Sequence, residues 1–282
     1  MTDTETPRRP GPWDNPPRAP GPAPADPVAF KVDRPLIRGQ NPVVAIGGTA
    51  LFFGFIWWMT GSWIMATALI FGLFVHEYGH VLAMNRMGMG PARIFIIPFF
   101  GGLAQGQREP KSEWDGVLVS LAGPAFGLLA AVPFFALWVI LGGPAWLLGA
   151  AVIAAINLVN LAPAPPLDGS KALGPVLARI HPWVERAAML MMGAIVVYWG
   201  VTTGRWILAA FLAIALLGHL RRGAWRPEGR PLSGRQALGA VGLYLVTAAA
   251  CAGVGLAALT PLADGSVDGA VRIAGAYLGF GS

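Results

Sequence analysis

The chain has 282 residues, 55% of them apolar and only 12% charged, where soluble domains carry about a quarter charged residues. Its apolar residues come in long blocks rather than in alternation, which excludes an ordinary soluble domain and predicts an all-α polytopic membrane protein. The net charge of +6 comes from Lys and Arg lying between those blocks, the pattern of cytoplasmic loops, so no nucleic-acid partner is expected. Cys251 is the only cysteine, and an intrachain disulfide is ruled out.

Residues 1–40 are rich in proline, mixed in charge and poor in large apolar side chains, the composition of a disordered tail. They lack the basic-then-apolar pattern of a cleavable leader, so the first span is expected to direct insertion. A membrane-embedded core follows over residues 41–220, then a basic loop with an additional span over 221–260 and a C-terminal tail over 261–282. Between Arg38 and Arg86 the one charged residue is Glu77. That stretch suits two spans, about 42–59 and 63–86, with a turn at Thr60–Ser62.

The segment "PARIFIIPFFGGLAQG", residues 91–106, is Ile- and Phe-rich but too short, and too interrupted by Pro98, Gly101 and Gly102, to span as a helix. Irregular backbone at membrane depth survives only where protein or a watery cavity satisfies it, so a short re-entrant β-hairpin is expected. Further spans are expected at about 116–140, 145–162, 183–200, 206–219 and 237–260, six to seven in all, with a short helix ending near Arg179. If the N-terminus is cytoplasmic, all of the 20 Lys and Arg except Arg205 and Arg272 lie inside. The positive-inside rule therefore predicts an N-in, C-out integral membrane protein.

The chemistry lies in "HEYGH", residues 76–80, inside the second span. His76 and His80 are one turn apart on one helix face and can share a Zn²⁺. Glu77, rotated about 100° from His76, reaches a water rather than the metal and suits a general base. A carboxylate in hydrocarbon costs roughly 2.5–3.5 kcal/mol on insertion scales, a penalty with no evident purpose unless Glu77 does chemistry. A catalytic zinc takes three protein ligands. His181 and His219 sit at span ends in polar surroundings and read as ordinary interfacial histidines. Asp168 follows the helix-breaking "APAPP" and precedes Gly169. Alone it reads equally as a helix N-cap or a ligand. Depth favours the ligand: His80 lies about six residues, roughly 9 Å, from the cytoplasmic end of its span, and the fourth span ends on the same side.

"HEYGH" followed by "NLAPAPPLDG", with "LAGPAFG" and "IIPFFGGLAQG" between them, resembles the site-2 protease family of intramembrane zinc metalloproteases over roughly residues 45–180. The resemblance implies one zinc per chain held by His76, His80 and Asp168, with Glu77 as catalytic base. It also implies that Asn160 helps hold substrate or the oxyanion near the metal. Gly101 and Gly102 of the hairpin join Asn160 as candidate substrate-binding residues, through an edge to which an unwound substrate strand adds; a loop plugging the bundle is the alternative. Family members often carry an asparagine a few residues after the Ala-Gly-Pro, where this chain has Gly127. The expected function is hydrolysis of peptide bonds in or near the transmembrane segment of a single-span protein, in a bacterial inner or plasma membrane, with the active site toward the cytoplasm. A catalytically silent membrane adaptor and a metal transporter are the competing readings.

Overall fold

The computed structural model describes residues 39–97, 101–222 and 229–279. The chain divides into Met1–Ile37 and Arg38–Ser282, and every described residue belongs to the second unit. The expected tail therefore falls outside the described residues up to position 38, as do Pro98, Phe100, positions 223–228 of the basic loop and the last three residues.

Each expected apolar block forms a helix. The first two are α1 (Pro42–Thr60) and α2 (Trp63–Arg86), joined at Gly61, which takes the left-handed φ of 66° that ends α1. Asn41 and Ser62 cap the two helices by accepting from Val43 N and Met65 N. A two-stranded antiparallel hairpin follows, β1 (Arg93–Ile97) and β2 (Gly101–Gln105), in the register Ile94 to Ala104 and Ile96 to Gly102. The third span is one 29-residue element, Glu113–Leu141. It carries Pro124 and divides into α3 (Glu113–Gly127), a 3-10 turn at Leu128–Ala130 and α4 (Ala131–Leu141). Then come α5 (Pro144–Asn160), the short α6 (Asp168–Ile180), α7 (Pro182–Thr202), α8 (Trp206–Arg222) and α9 (Gly234–Leu259).

Five elements, namely α1, α2, α3 with α4, α7 and α9, are long and apolar enough to cross a membrane. The other two of the seven expected spans, α5 and α8, are apolar but have 17 residues each, the lower limit for a span. The C-terminal segment holds an amphipathic helix, α10 (Val267–Leu278).

Helices α2, α3, α5 and α9 pack on one another and form the centre, while α1 packs only on α2 and β1 among its main neighbours. The outward faces carry large apolar side chains such as Trp58, Val139, Ile140 and Ile195, as lipid-facing surfaces do. The two ends of the bundle are distinct. At one end the start of α3, the end of α6 and the start of α9 meet: Arg230 bridges to Ser112, Glu113 Oε2 accepts from Leu232 N at 2.8 Å, and Arg179 Nη1 donates to Leu232 O at 2.8 Å. At the other, Arg205 donates to the carbonyl of Tyr277 in α10. Residues 112–113, 179 and 230–232, all from segments expected on one side of the membrane, thus meet one another.

The close approach of α2 to α3 depends on Gly79. A Cβ there would lie 2.5 Å from the backbone oxygen of Ala122, which cannot swing away. Gly79→Val is expected to cost roughly 1–3 kcal/mol by overpacking and to lower the melting temperature in detergent, whereas Gly54→Ala, with nothing within 4 Å, leaves it unchanged.

Candidate metal centre

The centre is assembled from α2 and the first residue of α6. His76, His80 and Asp168 are buried, and their ligand atoms form a tight triangle. His76 Nε2 lies 3.1 Å and His80 Nε2 3.2 Å from Asp168 Oδ2, and the two imidazole nitrogens are 3.2 Å apart. The two rings stand nearly perpendicular, at 85°.

The tautomers follow from the outer partners. His80 Nδ1 lies 2.8 Å from the carbonyl oxygen of Val119, which can only accept, so Nδ1 carries the hydrogen. His76 Nδ1 lies 2.9 Å from Asn157 Oδ1, likewise an acceptor. Both Nε2 atoms of the neutral rings therefore present lone pairs, and they converge with a carboxylate oxygen without a donor between them. A single extra proton satisfies two of the three; a cation satisfies all of them. Ligands about 2.0–2.2 Å from a tetrahedral zinc sit about 3.3–3.6 Å from one another, within about half an ångström of the triangle here. Two imidazoles and a carboxylate also match the donor preference of Zn²⁺.

Asp168 does not cap its helix. The N-cap of α6 is Leu167, which makes no side-chain cap bond, and the Asp168 carboxylate turns to the histidines instead. Of the two readings open from the sequence, the cap is not formed, and the carboxylate stands within 3.2 Å of both histidines. Burial alone would raise the Asp168 carboxyl, but a proton shared with His80 and His76 and, more weakly, Lys171 at 3.8 Å hold it well below the usual carboxylate range when no cation is bound. It is ionised and fit to bind a cation. Gly169 lets the turn before α6 close, since a Cβ there would lie 2.0 Å from the carbonyl oxygen of Leu161.

Glu77 is buried beside the triangle and accepts from Ala104 N of β2 at 2.8 Å. Gly102 lies directly against it: a Cβ at 102 would stand 2.4 Å from Glu77 Cγ. Asn160 donates to Ile156 O of its own helix at 3.1 Å and is half-buried. For Gly101 the structure describes the backbone pairing with Ile97. His181 caps α7 by accepting from Trp183 N, in keeping with an ordinary interfacial role.

Reading the residues in sequence missed Asn157, which touches His76, and the Val119 carbonyl, which holds His80. The signal for Asn157 was a second amide, three residues before Asn160, in an otherwise apolar block. Gly127 stands where members of the resembled family often carry an asparagine, and the Asn157 side chain takes up that space.

A polytopic helical membrane protein with a His-Glu-x-x-His helix and a carboxylate as candidate third ligand is defined by these features. Residues 64–146 match the model of peptidase family M50, the site-2 protease family, so the resemblance drawn from the motifs has independent support. Two curated relatives carry the name "Putative zinc metalloprotease". The chain is 32% identical over 131 residues to sll0528 of Synechocystis sp., covering 44% of this chain and 33% of the relative. It is 30% identical over 178 residues to Rip3 of Mycobacterium tuberculosis, covering 60% of this chain and 44% of the relative. The chain therefore spans between a third and somewhat under half of these relatives' lengths.

Purified protein is expected to hold about one zinc per chain, measured by elemental analysis. His76→Ala, His80→Ala and Asp168→Ala each lower that content, whereas His181→Ala and His219→Ala leave it at the wild-type level. Full zinc in Asp168→Ala would remove Asp168 from the ligand set.

Proposed function

We propose that the protein is an intramembrane zinc metalloprotease that cleaves a peptide bond in or near the transmembrane segment of a single-span membrane protein. The observation that carries this reading is the convergence of three metal-seeking atoms beside a buried glutamate, inside helices fit to cross a membrane. His76, His80 and Asp168 would hold the zinc, which would polarise a carbonyl and lower the pKa of water to about 7. Glu77 takes the water proton and passes it to the leaving amine. Its bond from Ala104 N holds the carboxylate in place until substrate arrives.

The hairpin fits the presentation of substrate. A helical segment has its carbonyls tied up in its own bonds and must unwind before attack. Because Ala104 N–H bonds to Glu77, it is not spent on the β1 ladder, and strand alternation puts Gly102 N–H on the same outer edge. That edge faces the catalytic carboxylate, and an unwound substrate added there as a third strand lies beside it. Access comes from the membrane. A cavity of about 300 Å³ lies between α1, α2 and the hairpin, and its lining includes Phe52, Ile70 and Phe74 together with Glu77 and Gly102. Asn160 is assigned to substrate at the far end of α5.

The end of the bundle that gathers α3, α6 and α9 starts or ends carries most of the basic residues and is assigned to the cytoplasm of a bacterial inner membrane. Water for hydrolysis then enters from that side. The adaptor reading gives the buried Glu77 no purpose, and a transporter requires polar groups at several depths, of which α1, α7, α8 and α9 offer almost none among the described residues.

Glu77→Gln is expected to keep zinc and melting temperature while cleavage of a co-expressed single-span substrate falls about 10²–10⁴-fold; cleavage near wild type would remove Glu77 as the base. Gly102→Ala, which crowds Glu77, should likewise lose cleavage with zinc retained. Ile96→Pro removes a donor from the opposite edge of the hairpin, so fragment yield on immunoblots should stay near wild type. Loss of cleavage in Ile96→Pro with zinc and stability intact would move the substrate strand to the β1 edge.

A further inference from the structure

We infer that Asn157 is the positioning residue for His76, and that Gly127 is the opening through which its amide reaches the ring. The inference rests on the metal-centre reading above and adds a residue from a third helix, α5, which contributes no ligand.

Asn157 is fully buried, at 0% exposure, in the apolar block "LLGAAVIAAINLVN". A buried amide is costly unless both of its ends are bonded. Here both are used. Nδ2 donates to Ile153 O at 2.8 Å, and Oδ1 lies 2.9 Å from His76 Nδ1. The Ile153 carbonyl accepts only, so it fixes which way the amide points. Turning the amide over would set oxygen against oxygen. Oδ1 is thereby committed to His76, the ring hydrogen is committed to Nδ1, and Nε2 is left with its lone pair aimed at Asp168 and His80. The neighbouring ligand His80 gets the same treatment from a backbone carbonyl of α3. For His76 a side chain, Asn157, supplies the acceptor instead.

Gly127 makes room for this arrangement. A Cβ built at position 127 would lie 2.0 Å from Asn157 Oδ1 and 2.7 Å from its Cγ and Nδ2. Asn157 is held at Ile153 on one side and at His76 on the other and cannot retreat without breaking one bond. Any side chain at 127 therefore displaces the amide from His76. An asparagine grown from 127 would also enter the same space, so the acceptor role can in principle be moved from α5 to α3.

The test uses the full-length protein in detergent and three readouts besides proteolysis: zinc affinity by chelator competition, the visible spectrum of the Co²⁺-loaded protein, and the melting temperature of the metal-free form. Outer partners of metal-bound histidines are typically worth about 10–100-fold in metal affinity. Asn157→Leu and Gly127→Ala are expected to lose affinity in that range and to change the Co²⁺ spectrum. Asn157→Asp keeps an acceptor for Nδ1–H while losing the donor to Ile153, and should bind zinc near the wild-type level. The double variant Gly127→Asn with Asn157→Ala should recover most of what Asn157→Leu loses. Unchanged zinc affinity and Co²⁺ spectrum in Asn157→Leu would overturn the inference. So would an equal loss in Asn157→Asp and Asn157→Leu, which marks the amide as packing only. Failure of wild-type protein to bind zinc at all is a different result and overturns the metal-centre reading itself.

Discussion

Three atoms that each offer a lone pair, His76 Nε2, His80 Nε2 and Asp168 Oδ2, are held 3.1–3.2 Å apart inside a helical membrane protein. Such a cluster repels itself unless a cation or a proton sits within it, and low local dielectric sharpens the penalty. The surrounding structure is what keeps it together. The Val119 carbonyl and the Asn157 amide hold the outer nitrogens, and the Leu161 carbonyl lies over Gly169 to bring α6 in from below. Gly123 completes the enclosure, since a Cβ there would lie 2.3 Å from His80 Nε2. Helices α2, α3, α5 and α6 must all approach to within backbone distance of the site, and glycine at each crossing is the residue that permits it.

The hairpin obeys a related constraint. Backbone donors and acceptors at membrane depth need partners, and a two-stranded ribbon leaves its outer edges open. One of those donors, Ala104 N–H, is met by Glu77. The proposed general base and the proposed substrate edge are thus the same contact seen from two sides. A strand added at that edge comes to lie against the carboxylate by construction, and the apolar cavity between α1 and α2 leads to the same point. Helix α1, packed mainly on α2 and β1, lines one side of that cavity with Thr49, Phe52 and Phe53.

Local pattern made much of this legible. Long apolar blocks can hardly be anything but membrane helices, because only a helix satisfies its backbone within the segment. The expected ends of the first two spans fall within a residue of α1 and α2. The i, i+4 spacing of His76 and His80 sets both on one face whatever surrounds them. The hairpin was legible for a similar reason, as glycines interrupt a run too short to span. Less was legible where elements end in irregular structure. The third span breaks into two helices around a 3-10 turn, and the C-terminal segment carries α10.

The sequence by itself determined the membrane class, the helix order, the histidine pair and the glutamate between them, because each depends on residues within a few positions of one another. Only the tertiary structure decided that Asp168 turns to the two histidines rather than capping its helix, and that Asn157 rather than Asn160 touches His76. Asn157 and Asn160 sit three residues apart on one helix, and nothing local says which of them meets α2. That is settled by how α5 packs against α2 and α3, where Gly127 leaves a space the size of an amide. Partners separated by 81 and 88 residues in the chain meet only after helices have packed, and side-chain spacing along a single helix carries no record of that contact.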